Sequence, residues 1–187
     1  MIKIRTPRTE LVLLNPEDAE LLLEYRLTNR DHLTPWEPER NENFYTLKQC
    51  EHQLTAQRKS FDEGTGFQLT ALTSDKNEII GLCNFNNIVH GVFQACHLGY
   101  SISKKHEGQG LMLEIVSAGI DYVFQEAKLH RIMANYIPDN HRSAALLKKL
   151  GFEEEGRARS YLKIAGKWQD HILTSRINPA HSEDSQN

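Results

Sequence analysis

The sequence has few cysteines and no long hydrophobic run. Its three cysteines, Cys50, Cys83 and Cys96, are odd in number and show no C-x-x-C spacing. This argues against a disulfide framework and favours reduced thiols. No apolar segment approaches the roughly 20 residues that a membrane-spanning helix needs, and the N-terminal MIKIRTPRTE lacks the apolar core of a signal peptide. These absences predict a cytoplasmic protein without membrane attachment.

The sequence also lacks an excess of positive charge and a metal-binding pattern. Its 22 Lys and Arg residues and 25 Asp and Glu residues give a formal net charge of −3, so we expect no direct nucleic-acid binding. The nine histidines form no H-x-x-x-H pair and no cluster with cysteine, so we expect no metal. A length of 187 residues suits one domain with a well-buried core.

The most informative stretch runs from residue 95 to 125, where a strand pattern, a glycine turn and a helix pattern follow one another. Apolar and polar residues alternate over 96–103, which predicts a strand, and apolar residues recur at helical spacing from residue 111. Gly108 and Gly110 lie between the two patterns. Amides at a helix start favour an anion, and glycine admits an oxygen-rich ligand close to the backbone. The stretch predicts a pyrophosphate site, although ordinary strand–helix turns share this spacing.

Two common phosphate-binding motifs are excluded at this turn. A dinucleotide fingerprint, G-x-G-x-x-G, would need a glycine where the chain has Leu113. A P-loop would need Gly-Lys followed by Ser or Thr, which the turn lacks. The segment that remains is Lys105-His106-Glu107-Gly108-Gln109-Gly110. It resembles motif A of the GNAT N-acetyltransferase superfamily, Q/R-x-x-G-x-G/A, with Lys105 in place of the usual Gln or Arg.

The predicted order of elements along the chain is that of the GNAT fold. Helices are expected from Asn15 to about Asn29, from the capping box at Thr46 to the glycines at 64 and 66, from residue 111, and from Asp139 or Asn140 to Gly151. Strands are expected at 3–14, 67–72, 79–89, 93–103, 130–137, 154–164 and 168–177. The resemblance implies an α+β fold. Its mixed, mostly antiparallel seven-stranded sheet would carry four helices on both faces and a splayed strand pair at its centre. We expect one domain over 1–177 and a disordered tail over 178–187.

Other segments resemble the ribosomal-protein-alanine N-acetyltransferase branch of this superfamily. Asn140-His141-Arg142-Ser143, with the later Leu147, Leu150, Gly151 and Phe152, is similar to the N-x-x-S…L…GF motif B. The segments similar to the branch itself are Pro35-Trp36-Glu37-Pro38, Leu98-Gly99-Tyr100, His130 to Tyr136, and Asp170-His171.

The resemblance implies acetyl transfer from acetyl-CoA to an amine. The implied acceptor is the N-terminal alanine, or a similarly small residue, of a small-subunit ribosomal protein. Two other functions stay open. One is acetylation of a small-molecule amine, such as a polyamine or an aminoglycoside; the other is non-catalytic binding of acyl-CoA. The oligomeric state is left open.

The resemblance also implies where the cofactor binds. Amides from Lys105 to Leu111 would take the pyrophosphate, Asn140 would hydrogen-bond the pantetheine, and an N–H of Leu98 or Gly99 would polarise the acetyl carbonyl. The cofactor-binding residues expected on this basis are Tyr100, Ser101, Ile102, Lys105, His106, Gly108, Gln109, Gly110, Leu111, Asn135, Asn140, Arg142 and Ser143.

Each of the two proton-transfer roles has two candidate residues. Ser143 or Tyr136 would protonate the leaving thiolate, and His97 or Glu37 would act as the base. Presenting a neutral lysine at neutral pH costs about 4 kcal/mol, against about 1 kcal/mol for an α-amine. A site without a strong base therefore suits an N-terminal amine better.

Two aromatic segments are expected to form the acceptor groove. Trp36 lies in the proline-containing loop between the first two helices, which lines the acceptor groove in this superfamily. Tyr161 and Trp168, on the last hairpin, would form the opposite wall. The expected substrate-binding set is completed by Glu37 and His97.

Overall fold

Eight strands form one mixed sheet in the computed structural model of this protein, which describes residues 2–181. The strands are β1 (Lys3–Arg5), β2 (Glu10–Val12), β3 (Phe67–Leu72), β4 (Ile79–Val89), β5 (Ala95–Ile102), β6 (Arg131–Tyr136), β7 (Glu153–Ile164) and β8 (Lys167–Ile177). In space they follow the order β1-β2-β3-β4-β5-β6-β8-β7. Neighbours run antiparallel except for β5 and β6, which are parallel.

Within the same residues, five α-helices are present: α1 (Ala19–Thr28), α2 (Arg30–Leu33), α3 (Leu47–Asp62), α4 (Leu111–Gln125) and α5 (His141–Lys149). One face of the sheet packs against α1 and α3 through a cluster that includes Leu22 and Leu54. The other face packs against α4 and α5 through a larger cluster that includes Ile120 and Leu147. None of the helices within residues 2–181 combines the length and the apolar character needed to cross a membrane.

The helix ends follow the local signals in the sequence. The Thr46 side chain accepts a hydrogen bond from the Gln49 amide at 3.3 Å, at the start of α3. At the start of α5, Asn140 Oδ1 accepts from the Ser143 amide at 3.0 Å, so the cap is Asn140 rather than Asp139. Gly151 has a φ of +77° and closes α5 with the predicted left-handed conformation.

The centre of the sheet contains the predicted splayed strand pair. β5 and β6 are paired through Ala95–Arg131, Cys96–Ile132 and His97–Met133, after which the ladder between them ends. Each strand keeps its other neighbour, since β5 stays paired with β4 as far as Ile102 and β6 with β8 as far as Tyr136. The gap is therefore held open by a continuous sheet on both sides.

The structure confirms the α+β class and corrects the predicted counts of seven strands and four helices. The segment predicted as one strand at 3–14 is two strands, because the Thr6 amide donates to the Thr9 carbonyl at 3.0 Å and turns the chain. Pro7, within this turn, has no amide to contribute to a ladder. The fifth helix is α2, a single turn that follows α1 directly, beyond the end predicted for the first helix at about Asn29.

The ordered chain extends beyond the boundary predicted at residue 177. Asn178 is buried, and its side-chain amide donates to the Leu129 carbonyl at 3.0 Å. The His181 ring stacks on that of His130, with 5.6 Å between the ring centroids. These residues contradict the predicted disorder over 178–181, and the rest of that prediction, 182–187, lies outside the described residues.

Helix α4 lies close to the sheet because of Gly119. A Cβ at this position would lie 2.9 Å from Cε2 of Phe85 and 3.2 Å from Sγ of Cys83, both on β4. Both side chains are fully buried, so they cannot move into solvent. Since α4 begins at the glycine turn, this contact also fixes the position of that turn relative to the sheet.

We expect Gly119→Ala to destabilise the fold. Alanine improves intrinsic helix stability by about 1 kcal/mol relative to glycine, but overpacking a core costs about 1–3 kcal/mol. The free energy of unfolding, measured by chemical denaturation, should therefore fall. Ser117→Ala, in the same helix, serves as the control and should leave stability nearly unchanged. A more stable Gly119→Ala variant would mean that the contact with Phe85 is not a constraint.

Candidate active site

A cleft of about 1070 Å³ opens where β5 and β6 part. Its walls come from the two strands, the glycine turn before α4, the start of α5, the segment after α1, and the β7–β8 hairpin. The fold therefore brings these six elements around one cavity. Fifteen of the predicted site residues line it: Trp36, Glu37, His97, Tyr100, Ser101, Ile102, Gly108, Gly110, Leu111, Asn135, Tyr136, Asn140, Arg142, Ser143 and Tyr161.

The glycine turn has the geometry of an anion cradle. Gly108 and Gly110 have φ values of +73° and +75°, a region that residues with a Cβ rarely adopt. A Cβ on Gly108 would meet nothing within 4 Å, so the turn is open on that side. Within residues 2–181 the amides of Gly108, Gln109 and Gly110 donate to no protein acceptor. Free amides at the positive end of α4 fit a pyrophosphate.

Two distant segments hold the cradle in place. Arg8, in the turn between β1 and β2, donates to the Gln109 carbonyl at 2.8 Å and pairs with the Glu114 carboxylate at 2.8 Å. Asn29, at the end of α1, accepts from the Lys104 amide at 2.8 Å and is itself buried. The turn is thereby fixed at both ends before any ligand binds.

Glu107 is the one carboxylate that lines the cleft beside the cradle in the described part of the chain. Its side chain pairs with Arg142, with Lys104 at 3.0 Å and with His32 at 3.5 Å. Burial raises the pKa of Glu107, but hydrogen bonds from Arg142 and Lys104 outweigh burial and leave the pKa below its ordinary value. Glu107 is therefore ionised at neutral pH and neutralises the cations that a phosphate would otherwise meet.

The parted strands offer backbone groups to a ligand. Beyond His97 and Met133 no ladder joins β5 to β6, so backbone groups that face the gap are available for hydrogen bonds. Gly99 lies at this opening, and a Cβ placed on it would meet nothing within 4 Å. The predicted oxyanion donors Leu98 and Gly99 both line the cleft. This arrangement fits an extended, amide-containing chain such as pantetheine.

Ser143 and Tyr100 form a hydroxyl pair across the cleft. Their side-chain oxygens are in hydrogen-bond contact, although one residue lies on α5 and the other on β5. Burial raises the pKa of Tyr100 to about 12, against a smaller lowering by the Ser143 hydroxyl. The cap on α5 uses Asn140 Oδ1 and leaves the Nδ2 group of that residue for a ligand.

Tyr136 lies at the end of β6, and its hydroxyl makes no side-chain hydrogen bond to any residue in 2–181. Burial raises the pKa of Tyr136, with a further contribution from the charge of Glu154. The phenol is therefore protonated at neutral pH and free to donate into the cleft.

His97 is the last residue of β5 that pairs with β6. Its Nδ1 is buried and has no hydrogen-bond partner among residues 2–181. Burial lowers the pKa of His97, so the imidazole is neutral at neutral pH and can accept a proton.

Glu37 is the second predicted base. Burial raises the pKa of its carboxyl group, and the charges of Arg40 and Arg26 oppose this. The carboxylate lies 3.9 Å from Arg40 Nε. Glu37 is therefore already engaged with a cation, whereas His97 is not.

Trp36 and Tyr161, one residue from each predicted wall of the acceptor groove, line the cleft. Trp36 lines the cleft from the loop after α2, and Tyr161 lines it from β7, next to His171 at 5.7 Å between ring centroids. The two walls meet at one end, where the Ala165 amide donates to the Glu37 carbonyl at 2.9 Å. This hydrogen bond joins the loop after α2 to the β7–β8 hairpin.

Four predicted site residues have side chains directed elsewhere. Lys105 Nζ and His106 Nε2 both contact the Glu78 carboxylate, at 2.6 Å and 3.2 Å, and neither residue lines the cleft. The Gln109 side chain donates to the Lys105 carbonyl at 3.2 Å, which leaves only its backbone amide for a ligand. Trp168 is 65% exposed on β8, outside the cleft. Trp168 therefore takes no part in the groove wall predicted for it. For Lys105, His106 and Gln109 the prediction concerned the backbone amides, and of these the His106 amide donates to the Ser103 carbonyl at 2.9 Å.

Sequence reasoning missed several residues that line or hold the site. They are Arg8, Asn29, His32, Glu107 and His171. Glu107 could have been found, since it lies inside motif A. The contacts of Arg8 and Asn29 span 101 and 75 residues of chain and leave no local signal.

Comparison with known proteins gives a consistent result. The model of a family described as acetyltransferase (GNAT) domain matches residues 8–153. The chain is 43% identical over 178 residues to the [ribosomal protein uS5]-alanine N-acetyltransferase of Escherichia coli, covering 95% of this chain and 92% of that protein.

Two solved structures are similar over nearly the whole chain. The ribosomal-protein-S5-alanine acetyltransferase of Vibrio fischeri superposes with a TM-score of 0.92 at 37% identity, covering 96% of this chain and 98% of that one. RimJ of Mycobacterium smegmatis, in complex with CoA-disulfide, gives a TM-score of 0.87 at 26% identity, covering 100% and 88%.

We expect Glu107→Gln to bind coenzyme A more tightly. The change removes a negative charge beside the phosphate cradle and frees Arg142 and Lys104. Because ion pairs at exposed sites contribute up to about 1 kcal/mol, the dissociation constant measured by calorimetry should fall about two- to fivefold. Glu126→Gln, at the exposed end of α4, is the matched control. Weaker binding by Glu107→Gln would show that the carboxylate positions Arg142 for the ligand instead.

Proposed function

The chain belongs to the acetyltransferase (GNAT) family, and from this premise we propose that it acetylates the N-terminal amine of a small-subunit ribosomal protein. The acetyl donor is acetyl-CoA. The observation that carries the chemistry is the strand gap beyond His97 and Met133, which opens onto the free amides of the glycine turn. It joins an anion site, an extended channel and an acceptor groove in one cavity.

The acceptor is proposed from similarity and from the groove. The Escherichia coli relative is named for alanine acetylation of ribosomal protein uS5, and its match extends over nearly the whole chain, including the groove residues. The groove also suits an α-amine, because neither His97 nor Glu37 is a strong base. An α-amine titrates near 8 and needs little help to lose its proton at neutral pH.

Acetyl-CoA, when bound, supplies an acetyl group activated as a thioester. The residues of this chain that would hold it are the amides of Gly108 to Leu111, the cleft-facing Arg142, the free amide of Asn140, and the strand edges at Leu98–Tyr100 and Asn135. Leu98 or Gly99 would place an amide N–H where negative charge develops on the carbonyl oxygen. Tyr100, Ser101 and Ile102 would form the floor on the β5 side.

His97 is the base in this proposal. Its neutral imidazole lies at the point where β5 leaves β6, with Nδ1 unpartnered. There it would accept the proton of the acceptor amine, directly or through one water. Glu37, paired with Arg40, would act on the acceptor by charge and position.

Tyr136 is the acid. Its hydroxyl is free, whereas the Ser143 hydroxyl is engaged with Tyr100. A phenol is also far more acidic than a serine hydroxyl, so Tyr136 Oη is the better proton donor to the departing sulfur. Ser143 would hold the Tyr100 ring against the cleft.

We further propose that residues 2–181 act as one domain and that the reaction takes place in the cytoplasm. The sheet is continuous from β1 to β7, which supports the first statement for the residues that are described. Cys50, Cys83 and Cys96 are unpaired, in agreement with a reducing compartment.

The proposed function is tested by offering acetyl-CoA with peptides that begin with Ala or Ser, and separately with spermidine. We expect release of free coenzyme A thiol with the peptides and acetylation of their α-amine by mass spectrometry. Thiol release with spermidine alone would favour a small-molecule amine. Coenzyme A binding without release from any acceptor would favour a binding module.

We expect the rate constant kcat to fall at acid pH, with a midpoint below the ordinary histidine pKa of about 6.5. Burial lowers the pKa of His97, so the base is competent at neutral pH and is lost on protonation below that lowered value. His97→Gln should reduce kcat about 100-fold at pH 7 and remove the acid limb of the profile. His52→Gln, exposed on α3, is the control. An acid limb that persists in His97→Gln and vanishes in Glu37→Gln would assign the base to Glu37.

Tyr136→Phe should slow thiol release about 100-fold in a single-turnover assay, because it removes the proposed acid and keeps the ring. Ser143→Ala should slow release by less than about fivefold, since one hydrogen bond contributes about 1 kcal/mol. The reverse order of effects would identify Ser143 as the proton donor.

A further inference from the structure

A second cavity, of about 450 Å³, lies beside the cleft on the face of the sheet that α1 covers. Its floor is formed by Gln68, Leu82, Asn84 and Ser101, on three neighbouring strands, and its walls by α1 and the segment from 30 to 45. The cavity shares Leu33, Glu37 and Ser101 with the cleft. Glu37 therefore borders both spaces, and we name the second one the side pocket.

Two amide side chains on the floor of the side pocket lack partners. Gln68 is 6% exposed; its Oε1 accepts from Gln57 at 2.9 Å, but its buried Nε2 has no hydrogen-bond partner among residues 2–181. Asn84 Oδ1 is likewise buried and unpartnered. Leaving a buried polar atom unpaired costs about 1–3 kcal/mol. The pocket thus presents one donor and one acceptor that a ligand would satisfy.

The charges around the side pocket balance. Three arginines and three carboxylates line it: Arg26, Arg30, Arg40, Asp31, Glu37 and Glu39. The guanidinium of Arg26 is 5% exposed and already donates to the Phe44 carbonyl at 2.9 Å, to Cys50 Sγ at 3.2 Å and to the Gln53 side chain. An ionised ligand would be attracted by three of these groups and repelled by the other three, so its charge would gain no net attraction. An uncharged polar ligand meets no such repulsion. The pocket favours a neutral ligand.

The floor amides lie at a defined distance from the reacting centre. Asn84 is the direct partner of Gly99 on β5, and Gln68 is the direct partner of Asn84 on β3. Adjacent strands are about 4.8 Å apart, so the two amides lie about 5 Å and about 10 Å from Gly99 across the sheet. The side chain of a peptide's second residue reaches this distance when the terminal amine lies above Gly99.

We propose that the side pocket binds the side chain of the acceptor's second residue and selects an uncharged side chain that can both donate and accept a hydrogen bond. Gln68 Nε2 donates to this side chain and Asn84 Oδ1 accepts from it. The inference rests on the proposed function, since it takes a peptide N-terminus as the acceptor. The alanine methyl of the first residue is too small to fill this pocket or to reach its amides.

The test uses the full chain, acetyl-CoA and peptides of sequence Ala-X followed by a common tail. X is Gln, Asn, Leu, Met, Glu or Lys, and a second series carries the same residues at the third position. We expect kcat/KM for Gln and Asn to exceed that for the near-isosteric Met and Leu by about 10-fold or more, because the apolar side chains leave both pocket amides unpaired. Glu and Lys should also be poor. The third position should have little effect.

Two variants test the assigned residues. Gln68→Met should abolish the preference for Gln over Met, and Asn84→Asp should make Lys at the second position the favoured residue, because the acceptor becomes a charge. Gln125→Met, at the exposed end of α4, is the matched control and should keep the wild-type preference. The thermal midpoint and the affinity for coenzyme A verify that each variant is folded with an intact cleft.

The results distinguish failure of this inference from failure of the proposed function. If peptides are acetylated equally well whatever residue follows Ala, the side pocket does not select the second residue and the inference is overturned while the proposed function stands. A preference that appears only at the third position overturns it in the same way. If no peptide is acetylated while coenzyme A binds, the proposed function itself fails.

Discussion

The end of the ladder between β5 and β6 is the constraint on which the rest of the site depends. Three residue pairs hold the strands together, and beyond His97 and Met133 the strands part while their outer neighbours stay paired. An open edge inside a sheet is costly unless its backbone groups find partners. A ligand with its own amides, such as pantetheine, supplies these partners. The gap that interrupts the sheet therefore also provides the groups that bind pantetheine.

The two faces of the sheet contribute different parts of the site. On one face, α4 approaches closely because Gly119 has no side chain, and its free end forms the cradle. On the other face, α1 and α3 cover the floor of Gln68 and Asn84, leaving polar space beneath the loop that carries Trp36. In the proposed function, the cofactor would be held by backbone groups at a helix start, whereas the acceptor would contact side chains. Backbone recognition is tolerant of sequence change; side-chain recognition sets specificity.

Sequence patterns predicted the parts of the site that are formed by residues close together in the chain. The strand, glycine turn and helix from 95 to 125 follow from periodicity and from residues that need positive φ, and the α5 cap follows from Asn140. Periodicity cannot show which distant residue a given side chain contacts. Lys105 and His106 belong to the motif, yet both contact Glu78, which lies 27 and 28 residues earlier. The side pocket escaped prediction for the same reason, because Gln68 and Asn84 become neighbours only through strand pairing.

The hydrogen bond from the Ala165 amide to the Glu37 carbonyl joins the hairpin to the opposite loop. If the acceptor enters this groove as proposed, a chain that continued in both directions would have to pass this hydrogen bond, whereas a chain end would not. The junction would therefore favour a terminus over an interior segment.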